Sequence, residues 1–408
     1  MSCRETVSQW ERTVSIHLPH LSGPQAKVLA VWSAAMIVGK SCGTTTAACW
    51  LASMLGGSYD AWRQRLREWC YDAPDKKGKR REEVSVVTCF APLLRWVLTW
   101  WATGEHRLAL AMDASTLSDR FTVLAVSVVY RGCAIPVAWC MVEAGKKGAW
   151  QPDWIALFDC LGECIPTSWT VIVLADRGLY ARWLYQHIQR QGWHPFLRIN
   201  GGGKARPKGT ETYHWLTTFV PVTGYEWCGE VRCFTEASSR LDCTLLARWD
   251  QEYKDPWLIL TDLLPAQADV AWYAMRAWIE CGFKDTKRGG WNWHHTKMQD
   301  PARAERHWLV MAVASLWVIS VGGESDAAQP ASTFDALPPD HIARRLSKQR
   351  KKQRKISCFA RGVMMLTLAL LQGESIPTGQ FVPFLWPFSP PQIEDEGGFW
   401  PQKEKTYP

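Results

Sequence analysis

Arg107-Leu-Ala-Leu-Ala-Met-Asp113 and Thr170-Val-Ile-Val-Leu-Ala-Asp176 are two short apolar runs, each ending on a carboxylate. Runs of this length between turn signals read as buried strands. Buried strands in an α/β sheet deliver residues to its carboxyl edge, where sites gather. Alone, either aspartate reads first as the usual cap on the following helix or turn. Working outward, Phe121–Tyr130 is a long β-rich run, Arg131-Gly132 turns it, and 133–142 returns, which predicts a hairpin. Pro136 has no N–H for a ladder and belongs at an edge or bulge. Residues 154–164 and 181–191 carry helical patterns, and 195–199 a further strand. The order strand, hairpin, helix, strand, helix, strand predicts an α/β mixed sheet with helices on its faces.

The flanks differ in kind. Residues 1–73 read as helical: Pro24 stands at a helix start, 47–55 is apolar, and 59–70 sets Arg63, Arg65 and Arg67 among Trp62, Leu66 and Trp69. Residues 74–83 form a charged loop and 84–101 returns to helix. Short helices with a basic face suit DNA binding, and equally a helical cap on the next domain. Residues 200–267 open on a basic Gly-rich loop and continue as short alternating runs, a β-strand insertion. A long helix is expected from Ala266 and another over 308–321. A linker follows from Gly322 to Pro339, then a basic segment, a last helix over 357–371 and a Pro-rich tail. The expected divisions are 1–101, 102–199, 200–267, 268–322 and 323–408.

The 408 residues, 47% hydrophobic and 21% charged, describe a globular chain and exclude wholesale disorder. The longest uninterrupted apolar run, 308–321, is shorter than the roughly 20 residues a spanning helix needs, so no membrane partner is expected. With no charged leader and no CxxC pair, the 14 cysteines read as reduced core thiols of a cytoplasmic protein. The formal charge of +8 is modest, but its distribution points to a polyanion. Lys76, Lys77, Lys79, Arg80 and Arg81 form one cluster, and 344–355 (RRLSKQRKKQRK) holds eight basic residues and no acid. The 26 tryptophans outnumber Tyr and Phe combined; indole rings fill cores and also stack on bases.

The expected helix over 268–288 carries Tyr273, Arg276, Glu280 and Lys287 at spacings of 3, 4 and 7. At helical pitch they share an arc of roughly 60°. One face presents a phenol, two cations and a carboxylate, with Trp272, Met275, Ile279 and Phe283 beside it for packing. The plain alternative is a solvated face with charge pairing along the helix.

Tyr273-x2-Arg276-x3-Glu280-x6-Lys287 resembles the signature of DDE transposases of the insertion-sequence-4 family, the bacterial cut-and-paste group. Asp113 in LALAMDAS and Asp176 in VIVLADRGLY resemble that family's two catalytic aspartates, and Arg177-Gly178 also matches. The resemblance covers about 107–320. It implies a ribonuclease-H-like catalytic fold with a β-strand insertion between the second Asp and the Glu. It implies a bacterial protein, associated with the nucleoid when on DNA, that cleaves strands, forms a hairpin and transfers strands. Its partners would be double-stranded DNA, as terminal inverted repeats and target, and a second copy in a synaptic dimer. Phosphodiester cleavage needs an activated oxygen nucleophile and a neutralised leaving oxygen. Two hard divalent cations do both and take oxygen ligands. Mg²⁺ is expected, with Mn²⁺ as substitute, bridged by Asp113 and held by Asp176 and Glu280. Arg276, Lys287 and Arg177 would grip phosphates, and Tyr273 would touch backbone near the scissile bond. A hairpin expels a base from the stack. Of Trp215, Trp227, Trp249 and Trp257, Trp227 is the favoured platform because it follows Gly224-Tyr225 in an expected turn. A metal-dependent DNA nuclease, or a domesticated transposase-derived DNA-binding protein, would carry the same pattern. Asp119, Asp153, Asp159 and Asp262 read as caps, turns or surface charge, His294-His295 lacks a third metal ligand, and Ser115 lacks triad partners.

Overall fold

The apolar runs of 107–143 pair with one another before anything else. In the computed structural model, which describes residues 3–388 apart from 78–80, 103, 105, 118, 146–149, 252 and 329–355, they form a meander. It consists of β1 (Arg107–Leu117), β2 (Phe121–Tyr130) and β3 (Cys133–Glu143), paired antiparallel. β2 is buried along its whole length, as its unbroken apolar run requires. β3 is the edge strand, and its register irregularity falls where Pro136 meets Ser127. α6 (Gln151–Asp159) then leads to β4 (Thr170–Ala175), and α7 (Arg182–Arg190) to β5 (His194–Arg198). Both strands run parallel to β1.

Residues 200–267 extend this same sheet. β6 (Lys204–Pro207), β7 (His214–Trp215), β8 (Tyr225–Cys233), β9 (Leu241–Trp249) and β10 (Trp257–Thr261) complete the order β3-β2-β1-β4-β5-β10-β9-β8-β6-β7. The result is a ten-stranded mixed sheet compatible with a ribonuclease-H-like domain.

Among the described residues, five α-helices precede the sheet: α1 (Cys3–His17), α2 (Gly23–Gly39), α3 (Thr44–Leu55), α4 (Tyr59–Trp69) and α5 (Val87–Thr99). Pro24 opens α2, where the Gln25 side chain accepts from the Ser22 N–H. α8 (Trp278–Lys284) carries Glu280, α9 (Pro301–Ala327) packs on β3, and α10 (Cys358–Gln372) lies along α9. α1 and α2 close over this pair, so one apolar core runs from the N-terminal helices to the sheet.

Three expectations are corrected. The stretch 268–288 is not a regular α-helix: Val270–Ala277 winds as 3₁₀, α8 follows, and Asp285–Gly289 widens into a π-turn. Asp269 caps the first segment by accepting from the Ala271 N–H. The tighter winding turns 120° per residue, so Tyr273 and Arg276, three apart, stack on one line. Second, Gly322 does not end α9, which continues to Ala327. A Cβ on Gly322 would stand 1.8 Å from the Cys358 carbonyl oxygen, and one on Gly362 1.7 Å from that of Val318. These glycines let α9 and α10 touch backbone to backbone. Third, α9 is long and apolar enough to span a bilayer by length and composition, although no uninterrupted apolar run suggested it. Its apolar window is 89% buried by the surrounding sheet and helices. The basic segment 344–355, Lys79, Arg80 and the tail beyond 388 lie outside the described residues.

Candidate active site

Register places the carboxylates. Ala111 on β1 pairs with Leu174 on β4, so two residues on, Asp113 and Asp176 stand side by side at the carboxyl edge. Ala175 pairs with Leu197 on β5, which sets Arg198 next in line. Asp113 does not end its strand, contrary to expectation: β1 continues to Leu117 against β2, while its pairing with β4 stops at Ala111. That exposes one side of β1 at Asp113 to the segment 270–289. Each aspartate accepts a backbone N–H from the residue after it, Ala114 to Asp113 at 2.8 Å and Arg177 to Asp176 at 2.7 Å.

Arg276 sits at the centre. Its Nη2 donates to Asp113 Oδ2 at 2.9 Å and lies 3.8 Å from Asp176 Oδ2, while Nη1 donates to Glu280 Oε1. Three carboxylates from β1, the β4 end and α8 thus converge on one guanidinium with 12% of its side chain exposed. Its Nε is buried and has no partner among the described residues. Burial pushes the Asp113 carboxyl above its ordinary range, and Arg276 opposes that shift.

Tyr273 is buried, its hydroxyl 3.4 Å from both Asp176 Oδ1 and the Ala175 carbonyl. The ring meets Trp257 edge to face at 5.1 Å. The phenol therefore faces Asp176, not solvent. Lys287 Nζ donates to Ser115 Oγ at 2.7 Å and to the Thr116 carbonyl, closing the site along β1. Burial, then Arg288, lowers the Lys287 pKa. Arg177 is half exposed and pairs with Asp255 at 3.3 Å.

The remaining expected residues lie apart from this cluster. Trp227 is the third residue of β8, not a turn residue, and its half-buried ring packs on Phe219 at 4.5 Å. Trp215 is half exposed under Lys204, and Trp249 donates to the Tyr253 carbonyl. Lys76 donates to the Glu82 carbonyl, while Lys77 and Arg81 are exposed. Asp159 and Asp262 pair with His187 and His194, and His294 with the Lys287 carbonyl. Arg198 was missed by the sequence reading. It lies 3.9 Å from Asp176 and donates to the Pro256 carbonyl at 3.2 Å. It is the last residue of β5, whereas the expected strand over 195–199 ends one residue later, at Ile199.

An all-carboxylate donor set suits a hard divalent cation and no soft one. As arranged, the carboxylates face the guanidinium, and no three acidic, histidine or cysteine side chains among the described residues are grouped to hold an ion. A cation taking Asp113, Asp176 and Glu280 as ligands would take the place the Arg276 guanidinium holds.

The family model of the transposase DDE domain matches residues 156–317, which include Asp176, Tyr273, Arg276, Glu280 and Lys287 and exclude Asp113. No curated protein matches the chain. The matched segment, less than half of the chain, is similar to the DDE domain of transposases.

Proposed function

We propose that this chain is a DNA transposase that cuts at the ends of an insertion sequence and joins them to target DNA. The observation that carries the reading is the convergence of Asp113, Asp176 and Glu280, from three separate elements, on one cationic centre. Structural ion pairs have no need to gather three carboxylates on one point, because each added like charge raises the cost of burial. Phosphodiester chemistry has that need.

Asp113, Asp176 and Glu280 would hold Mg²⁺ or Mn²⁺. The bound ions would activate the attacking oxygen and stabilise the leaving one. The protein's own parts follow from geometry. Tyr273 holds Asp176 from beneath, and Trp257 fixes the phenol. Arg276, when released from the carboxylates, offers two parallel donors to a phosphate, the bidentate match guanidinium makes best. Lys287 and Arg198 flank the site as further cations. The reading includes synapsis of two ends by two copies, and a hairpin step to cut the second strand.

A second reading is favoured by the same ion pairs. Carboxylates neutralised by Arg276 are what a domesticated DNA-binding protein would keep as structure. A plasmid carrying the DNA that flanks this gene separates the two. With Mg²⁺, paired cleavage at the flanking repeats is expected. Asp113→Asn, Asp176→Asn and Glu280→Gln should each lower it more than about a hundredfold, since neutral amides are poor ligands for Mg²⁺. DNA retardation should survive in all three. Retardation without cleavage by the wild type favours the structural reading, and random nicking favours a nuclease.

A further inference from the structure

A second site lies beyond the carboxylates. A cleft of about 810 Å³ opens between α4, the start of α3 and the segment joining α8 to α9. Arg63, Arg67, Lys297 and Arg303 line it, against a single acid, Asp300. Arg303 is neutralised by Asp75 at 2.6 Å, and Asp300 caps α9 by accepting from the Arg303 N–H. Arg63, Arg67 and Lys297 have no ion-pair partner among the described residues, and Arg63 Nε is buried without a hydrogen bond.

In the cleft along β6, β8 and β9, Arg206, Lys208 and Arg232 are each paired, with Glu211, Glu230 and Asp242. Cations gathered without counter-charge repel one another and destabilise a fold unless a ligand supplies the anion. The start of α3 lies at the same cleft: Gly43, Thr44 and Thr45 line it, and the Gly43 N-cap has no side chain to cap the helix.

The cleft is tied to the carboxylate site on two sides. Arg120, just past β1, donates to the carbonyls of Thr296 and Met298 at 2.7 and 2.9 Å. His294 is bonded to the Lys287 carbonyl at 2.6 Å. Its lip, 294–298, is thus anchored to the strand of Asp113 and to Lys287 itself.

We propose that this cleft binds the phosphate backbone of duplex DNA flanking the bond that is cut, with Arg63, Arg67 and Lys297 as its phosphate contacts. The inference rests on the DNA-processing reading above. A nucleic-acid strand leaving the carboxylate edge past Lys287 continues onto the anchored lip and reaches three uncompensated cations.

The test is the salt dependence of duplex DNA binding by the full-length protein, followed by fluorescence anisotropy on a random-sequence duplex. Each phosphate contact contributes about 0.9 to the log–log slope. Arg63→Gln/Arg67→Gln/Lys297→Gln should lower the slope by about 2–3 relative to wild type, and Lys297→Gln alone, on an exposed residue, by about 0.9. The triple change Arg206→Gln/Lys208→Gln/Arg232→Gln should leave it within error of wild type. An unchanged slope in the first triple variant and in Lys297→Gln, with tight binding by wild type, overturns the cleft and leaves the transposase reading standing. Failure of wild type to bind DNA at all overturns both.

Discussion

The Arg276 guanidinium lies among three carboxylates, bonded to Asp113 and Glu280 and 3.8 Å from Asp176. Its position four before Glu280 predicted a shared face, and the two are hydrogen-bonded. Local spacing carries no sign that the guanidinium reaches back to Asp113, 163 positions earlier, because that contact depends on strand register. Tyr273 was expected on the DNA and is buried against Asp176, since 3₁₀ winding turns it inward with Arg276. A guanidinium among carboxylates competes with any divalent cation for the same place. Arg276→Gln should therefore change the response to metal more than the fold. Without divalent ions the variant leaves three half-buried carboxylates uncompensated and melts several degrees lower than wild type. Addition of 10 mM Mg²⁺ (roughly millimolar affinity assumed, giving about 1.4 kcal/mol by mass action) should raise the variant's melting temperature by more than it raises that of wild type. Equal Mg²⁺ shifts in thermal scans of the two chains would mean that Arg276 does not occupy the cation's place.

Elements with simple periodicity were legible, and those under local constraint were not. β2 came through at its observed bounds because an unbroken apolar run between two turns has one reading. The pattern over 268–288 predicts one helix because 3₁₀, α and π windings share nearly the same apolar spacing over so short a span. Gly322 predicts a helix end, as glycine ordinarily does, whereas here it admits the backbone of α10. The π-turn holds Asp285, whose carbonyl accepts from the Trp291 N–H and whose carboxyl is pushed up to about 7 by burial, with Lys284 opposing. The folded chain keeps this proton to higher pH than the unfolded chain, whose carboxyl ionises near 3.8. Stability is therefore full below that value and falls as pH rises toward 7. His307, buried and lowered to about 4 while bonded to the Cys42 carbonyl, runs the other way, losing stability as pH falls below its ordinary range. It is common to wild type and variant, so the difference between them isolates Asp285. Between pH 5 and 8, Asp285→Asn should gain of the order of 2 kcal/mol relative to wild type. Urea midpoints at the two pH values measure this, and a pH-independent difference would show that Asp285 is ionised throughout.

At the scale of the whole molecule, the expected boundary near residue 101 has to be weighed against the packing across it. Residues 1–101 read as a separate region because a helical pattern gives way there to strand patterns. Their buried side, however, is continuous with the rest. Trp10 of α1 stacks on Trp317 of α9 at 3.7 Å, and donates to Ser33 of α2 at 2.9 Å. Arg306 of α9 is buried and donates to the carbonyls of Cys70 and Val84 and to Asp72, while Trp69 returns a bond to the Arg306 carbonyl. Tryptophan abundance, legible as core or base platform, is here mostly core: Trp10, Trp32, Trp96, Trp139, Trp291, Trp293, Trp308 and Trp317 are fully buried. Removing α1–α5 would bare the face of α9 that α1 and α2 cover, leaving Arg306 without its carbonyl partners. Each buried large apolar side chain so exposed forfeits about 1.5–3 kcal/mol, and a few such losses exceed the net stability of a typical domain. The full chain should therefore unfold in one urea transition, with tryptophan fluorescence and far-ultraviolet circular dichroism coinciding. A chain beginning at residue 102 should be insoluble or lack a cooperative transition. A soluble 102–388 fragment with a sigmoidal urea curve would show instead that the helices are a detachable module, and that the core they share with α9 is dispensable.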